Sequence, residues 1–225
     1  MLATPDVRQL RPQVYDPAED SFLLLDCLEQ ERQWLQSRFP HPVCLEIGSG
    51  SGVVLSFLHT HIFPAGYAVA TDINPNACLQ TCDTFRDNNP GGRTSVEALR
   101  MAGFSGVRDG IVDVVVYNPP YVPAESVPTL PTADDDDAWL DLALDGGANG
   151  MESTWPILDH LDAKLSPLGV AYVLFCARNH PDDVASVLRA RGWRVSEVMR
   201  RKAAWEVLSV LRISRDSPLI GDHVD

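Results

Sequence analysis

The stretch "VVVYNPPYVP", residues 114–123, runs from an apolar strand pattern into Asn118, Pro119, Pro120 and Tyr121. Two consecutive prolines lack backbone N–H donors and hold φ near −65°. The carbonyls and flanking side chains therefore form a rigid set that wants donor partners. A planar –NH2 group is the complementary guest. Its two N–H bonds can be accepted together by the Asn118 side-chain oxygen and the Pro119 carbonyl, with the Tyr121 ring stacked on the plane. Nitrogen, rather than oxygen, is then the reacting atom. In a carboxamide that nitrogen is a poor nucleophile, because its lone pair sits in the resonance that makes amide rotation cost about 18–20 kcal/mol. Acceptors held out of the amide plane favour a more pyramidal nitrogen, so they bind the transition state better than the ground state.

A second constellation lies upstream in "LEIGSGSGVV", residues 45–54. Gly48, Gly50 and Gly52 alternate with small residues, which lets the backbone turn sharply and approach a ligand closely at the start of a helix. The dinucleotide fingerprint wants a third glycine three positions after the second, and Val53 stands there, so a nicotinamide cofactor loses support. Asp72 follows at the end of the next strand pattern, where a carboxylate can accept both hydroxyls of a ribose. No Lys or Arg occurs from Glu46 to Asp72, and Glu46 belongs to the same turn, which suits a cationic ligand better than a pyrophosphate. A nucleoside with ribose, adenine and positive charge but no phosphate is S-adenosylmethionine.

Both constellations need strand ends to hold them, and the pattern supplies these. "YDPAEDSFLLLDCLEQERQWL" reads as a helix with Asp16 as cap, Pro17 at its first position, Glu19 at a capping-box spacing, and Phe22, Leu24, Leu25, Leu28 and Leu35 mainly on one face. From residue 43 onward, short apolar strands alternate with helices. "VCLEI", "YAVATD", a weaker "TSVEALRMA", "IVDVVVYN" and "GVAYVLFCA" are the strands, and a helix starts after Asn74 with Pro75 in its first turn. A helix near 137–143, a glycine turn "DGGANG" and a helix carrying Pro156 in its first turns fill the stretch before the fifth strand. "PDDVASVLRARG" is a further helix, and "WRVSEVMRRKAAWEVLSVLRIS" reads as two strands joined near 201–204. Such alternation makes an open α/β sheet, mostly parallel, with helices on both faces and an antiparallel closing strand. The expected organisation is an arm over residues 1–15, one domain over 16–214 and a frayed tail over 215–225.

Composition narrows the partners. With 18 basic against 31 acidic residues, the formal charge of −13 repels polyphosphate, so nucleic acid is disfavoured and a neutral or basic protein is favoured. Cys27, Cys44, Cys78, Cys82 and Cys176 are scattered and odd in number, which fits buried thiols in a reducing, cytoplasmic compartment rather than a disulfide framework. Cys78 and Cys82 lack a second ligand pair, and His59 and His61 point to different faces, so no metal site is expected. No apolar run reaches the length of a membrane span. "TADDDDAW", residues 132–139, reads as a solvated loop whose last Asp caps the next helix, and Trp205 and Tyr172 read as core or strand-face aromatics.

Taken in order, "DPAEDSFLLLD", "CLEIGSGSGVV", "TDINPNA", "VVVYNPPYVP" and "RKAAWEVLSV" resemble the HemK-like glutamine-N5 methyltransferases over roughly residues 4–213. The resemblance implies a Rossmann-like class I methyltransferase with a seven-stranded sheet and S-adenosylmethionine as donor. It implies Asn118, Pro119, Pro120 and Tyr121 as the clamp on the acceptor amide, and Ser21, Glu46, Gly48, Gly50, Gly52, Asp72 and Asn118 as donor contacts. It further implies a heterodimer with a small zinc-binding activator protein at the edge strand near 94–102, and methylation of the Gly-Gly-Gln glutamine of a eukaryotic peptide-chain release factor. Protein lysine and nucleic-acid adenine N6 are the alternative acceptors, and a weakly active binding subunit is a third reading. One departure stands out. Where the family carries an Asp-Leu pair at the adenine amino group, this chain reads Ala102-Gly103, leaving Glu97, Asp109, or backbone groups with apolar packing to serve.

Overall fold

In the computed structural model the described residues are 2–91, 96–134 and 136–215. The sheet has seven strands: β1 (Val43–Ile47), β2 (Tyr67–Asp72), β3 (Val96–Arg100), β4 (Val112–Tyr117), β5 (Leu165–Cys176), β6 (Arg194–Ala203) and β7 (Glu206–Ser214). Their spatial order is β3-β2-β1-β4-β5-β7-β6, parallel from β3 to β5, with β7 antiparallel to both β5 and β6. The strand order reverses between β1 and β4. Their carboxyl ends carry Gly48 and Asn118, so the two constellations meet at the crevice where open α/β sheets bind ligands.

The helices are α1 (Glu19–Arg38), α2 (Val53–Phe57), α3 (Pro75–Asn88), α4 (Ala138–Leu144), α5 (Thr154–Lys164) and α6 (Pro181–Ala190). A π-helical turn, Leu58–Ile62, continues α2. Alternate residues of β4 bury into two cores. Val114 and Val116 pack with the leucines of α1 and with α2, and Val115 and Tyr117 pack with α5 and α6. This two-faced burial is why β4 is nearly all valine.

The start of α1 differs from expectation. Ala18, not Asp16, occupies the cap position, without a side-chain cap. The carboxyl group of Asp20 instead takes the Ser21 N–H at 2.7 Å, so a residue inside the first turn does the capping work. Leu23 replaces Phe22 on the buried face, and Phe22 lies on the exposed one. In the acidic loop Asp136, rather than Asp137, accepts the Ala138 N–H (2.9 Å), because α4 begins one residue beyond Asp137 and its first N–H is reached from two positions back. Asp135 lies outside the described residues, as do Thr94 and Ser95 of the weak third strand and residues 216–225 of the expected tail.

The arm lies on the surface and is tied down there. Leu2 N–H donates to Glu29, Asp6 N–H to Asn88 and Arg11 N–H to Gln80, each at 2.8–2.9 Å. Arg11 also pairs with Asp83 of α3. The arm therefore runs across α3 and delivers Gln13, Val14 and Tyr15 to the mouth of the crevice. Among the described residues, no helix is long and apolar enough to cross a membrane.

Candidate active site

A cavity of about 610 Å³ opens at the carboxyl edge of the sheet and holds both constellations. One wall is the glycine loop after β1. Gly48, Gly50 and Gly52 all have positive φ, and a Cβ on Gly52 would lie 2.7 Å from the Thr81 Cα, so only glycine lets the loop close onto α3. The Ser49 and Thr81 hydroxyls, 2.8 Å apart, bolt the same contact. The loop presents its backbone to the cavity because its N–H groups are steered from behind. Asp72 at the end of β2 accepts the Gly50 N–H (3.0 Å) on one oxygen and the Asn74 N–H (2.8 Å) on the other. The Ile73 N–H also bonds this carboxylate, so of its roughly four acceptor sites one is left for a further donor.

Glu46 is 4% exposed and accepts the Leu55 N–H at 2.9 Å. Burial raises its pKa to about 8, against the lowering effect of that N–H and with a further push from Asp72. Burial likewise raises Asp72, and its backbone hydrogen bonds hold it down. Two acids with raised pKa values on one cavity wall are a site prepared for positive charge.

The opposite wall is Asn118-Pro119-Pro120-Tyr121. The Asn118 Nδ2 donates to the Asp20 Oδ2 at 3.0 Å. A carboxylate offers acceptors only, so this contact fixes which way the amide faces. The Asn118 Oδ1 is buried with no hydrogen-bond partner. A buried carbonyl oxygen left unsatisfied costs about 1–3 kcal/mol, which a donor on a guest would recover. Gln13 and Thr71, which also line the cavity, each carry a buried side-chain oxygen without a partner. Asp20 is 3% exposed, and its other oxygen holds the Ser21 N–H and, at 3.3 Å, the Tyr15 hydroxyl. The phenols of Tyr15 and Tyr121 are pushed upward by burial first and by Asp20 next, so both stay neutral.

The back of the proline segment is packed by residues that sequence reasoning passed over. Gly146 and Gly150 of "DGGANG" have no room for a Cβ, which would run into the Pro120 and Tyr121 carbonyls respectively. Val122 donates its N–H to the Leu144 carbonyl and accepts the Gly146 N–H, both at 2.9 Å, and the buried Asn179 donates its Nδ2 to the Tyr121 carbonyl at 2.8 Å. No donor among the described residues reaches the Pro119 carbonyl through a backbone hydrogen bond. Asp20, between Glu19 and Ser21 and ahead of the apolar run, carried no local signal that set it apart from the acids around it. Asn179 gave no local signal, since it lies 58 residues from the group it holds.

All of the sequence-expected residues, Ser21, Glu46, Gly48, Gly50, Asp72 and Asn118 to Tyr121, line this cavity, and Gly52 sits behind it against Thr81. Glu97 and Asp109 do not. Glu97 is exposed on β3, and Asp109 is paired with Lys164 at 2.7 Å. The remaining end of the cavity is lined by Met101, Ala102, Gly103 and Phe104, with Ile157 packed where a Gly103 Cβ would be. That end is mostly apolar, which suits an aromatic base. Buried acids, a carboxylate at the end of β2 and an apolar end fit S-adenosylmethionine. Three expectations outside the cavity have separate outcomes. His59 packs on Phe85 and His61 reaches the Ala3 carbonyl, so they are not a pair. Tyr172 is a core residue whose hydroxyl meets Glu31. Trp205 is 96% exposed, so the expectation of a packed aromatic fails there.

A sheet of this order, with its last strand antiparallel and a ligand cavity at the switch point, is the fold of a class I methyltransferase. Residues 16–130 match the family model described as "Methyltransferase small domain". The chain is 37% identical to the mouse methyltransferase HEMK2 over 205 residues, covering 90% of each. It is 36% identical to the fission yeast "eRF1 methyltransferase catalytic subunit mtq2" over 239 residues, covering 99% of this chain and 100% of the yeast protein. Among solved structures it resembles the Mtq2–Trm112 complex of E. cuniculi, described as responsible for methylation of the eRF1 termination factor. There the TM-score is 0.65 at 26% identity, over 90% of this chain and 99% of that one. The chain belongs to this HEMK2/Mtq2 family of methyltransferases.

Proposed function

We propose that the protein methylates the side-chain amide nitrogen of a glutamine in the Gly-Gly-Gln motif of a eukaryotic release factor. It acts as the catalytic subunit of a heterodimer with a small zinc-binding activator, using S-adenosylmethionine. One observation carries this reading: the Asn118 Oδ1, oriented by Asp20 and unpaired, beside a rigid pair of prolines. The names and assemblies of the relatives support the substrate and the activator. The exposed edge strand β3, where Glu97, Leu99 and Arg100 are all exposed, is the edge such an activator would cover. Five free thiols suit a cytoplasmic setting.

When bound, S-adenosylmethionine supplies a methyl group on a sulfonium that departs as a neutral thioether. The chain's own part is positioning. Asp72 and the apolar end of the cavity hold the ribose and adenine, and Glu46 with the glycine loop receives the charged end. Asn118 and the Pro119 carbonyl accept the two N–H bonds of the glutamine amide. They weaken the overlap of its lone pair with the carbonyl and aim that lone pair at the methyl. Orientation of this kind is worth about 7–11 kcal/mol in well-aligned systems. As the N–CH3 bond forms and the C–S bond breaks, the nitrogen sheds one of its two protons to solvent, and Tyr15 and Tyr121, whose phenols stay neutral, flank the amide rather than act as bases.

The test is mass spectrometry of a Gly-Gly-Gln release factor incubated with the heterodimer and donor. A single added methyl on that glutamine is expected. No mass shift at saturating donor overturns the proposal. An adenine acceptor is disfavoured by the charge of −13.

A further inference from the structure

β7 pairs with β5 so that Leu208 stands opposite Cys176, the last residue of β5. β5 runs parallel to β4, so the turn between β6 and β7 projects beyond the carboxyl edge of the sheet, on the same side as Asn118 and Tyr121. Trp205 lies three residues before Leu208, about 10 Å past that edge at strand rise. The turn is joined to the active-site wall. Glu206 pairs with Arg178 at 3.7 Å, and the neighbouring Asn179 grips the Tyr121 carbonyl.

Two features of this turn do nothing for folding. Ala203 pairs with Glu206, leaving Ala204 and Trp205 as a two-residue hairpin loop, and Ala204 has φ +48°. Such loops favour glycine or asparagine at positive φ, and an alanine there is strained. The indole of Trp205 is 96% exposed, although a tryptophan gains its energy only by burial. Strain and exposure in one turn beside a site point to a surface kept for a partner. Charged residues stand close to Trp205, Lys202 and Glu206 in the same hairpin and Arg178 paired with Glu206, and an aromatic anchor with a polar rim is the usual anatomy of a binding hot spot.

We infer that the β6–β7 turn, through Trp205, docks the segment of the protein substrate that flanks the reacting glutamine. This rests on the proposed function and extends it. The partner is the substrate rather than the activator, because β3, the edge proposed for the activator, is the opposite edge of the sheet from β6. Glycines beside the acceptor expose flat peptide planes on which an indole can stack, and the charged rim can meet their N–H and C=O groups.

The heterodimer carrying Trp205→Ala is tested by steady-state methylation of the release factor. The KM for that protein is expected to rise 10-fold or more, with kcat within twofold, and with unchanged donor affinity and melting temperature. Trp205→Phe should recover most of the loss, and Ala204→Gly should leave the melting temperature equal or higher. A KM within twofold of wild type for Trp205→Ala overturns the inference while leaving the proposed function intact. So does a loss that follows weakened activator binding or a lowered melting temperature. A wild-type heterodimer that never methylates the release factor overturns both.

Discussion

Replacing Asp20 by Asn preserves size and shape yet should be worse than removing the side chain. In the wild type one Asp20 oxygen holds the Ser21 N–H at 2.7 Å and the other holds the Asn118 Nδ2 at 3.0 Å. An asparagine at 20 must keep its oxygen on the Ser21 N–H, which is a buried donor. Its –NH2 then faces the –NH2 of Asn118. Two donors cannot share that contact, so Asn118 turns over and presents Nδ2 to the cavity where its oxygen had been. The clamp thereby loses one acceptor and gains a donor that opposes the substrate's own N–H. Losing one preorganised group at a reacting centre costs about 2.7–4 kcal/mol, or about 10²–10³-fold in kcat at 1.36 kcal/mol per decade. Asp20→Ala leaves Asn118 free to take either orientation and should lose only about tenfold. The assay is single-turnover transfer of labelled methyl to the release factor, with donor affinity measured by calorimetry. If Asp20→Asn keeps kcat within threefold of wild type, or is faster than Asp20→Ala, the orientation argument is wrong.

Glu46, with a pKa of about 8, holds a proton at pH 7 in the free protein. A cationic ligand favours its charged form, so donor binding at pH 7 should release up to about 0.9 proton. Calorimetry in buffers of different ionisation enthalpy reads this, and Glu46→Gln should abolish it. The same raised value means the folded state binds more protons than the unfolded one between pH 4.5 and about 8. Stability from this group is therefore present at low pH and declines as pH rises through that window, and thermal melts of Glu46→Gln should decline less. Gly52→Ala combines a left-handed φ of +74° with a Cβ 2.7 Å from the Thr81 Cα. A loss of about 2 kcal/mol would lower the melting temperature by about 4–8 °C. Gly150→Ala drives a methyl into the Tyr121 carbonyl and the Asn179 amide. It should cut kcat at least 10²-fold with donor affinity retained, and unchanged turnover would show that the segment is not held from behind.

Strand alternation, the glycine loop, Asp72 and the proline segment were all legible in the sequence, because each depends on local chemistry. Valines in an unbroken run make a strand buried on both faces, glycines at positive φ make a tight loop, and paired prolines make a stiff one. The start of α1 was misread for a related reason. Asp16 and Pro17 carry the local signals of a cap, but Asp20 has a partner 98 residues away that local spacing cannot contain. Trp205 reads as a core or strand-face aromatic by residue type, and only the register of β7 on β5 puts it beyond the sheet.

The sequence by itself determined which groups could meet an amide and a cationic nucleoside, since that follows from residue type and neighbouring backbone. Only the tertiary structure decided which way the Asn118 amide faces, which oxygen is left unpaired, and that Gly146, Gly150 and Asn179 brace the prolines. Those are matters of ångström-scale contact between segments far apart in the chain, and no periodicity or propensity encodes them.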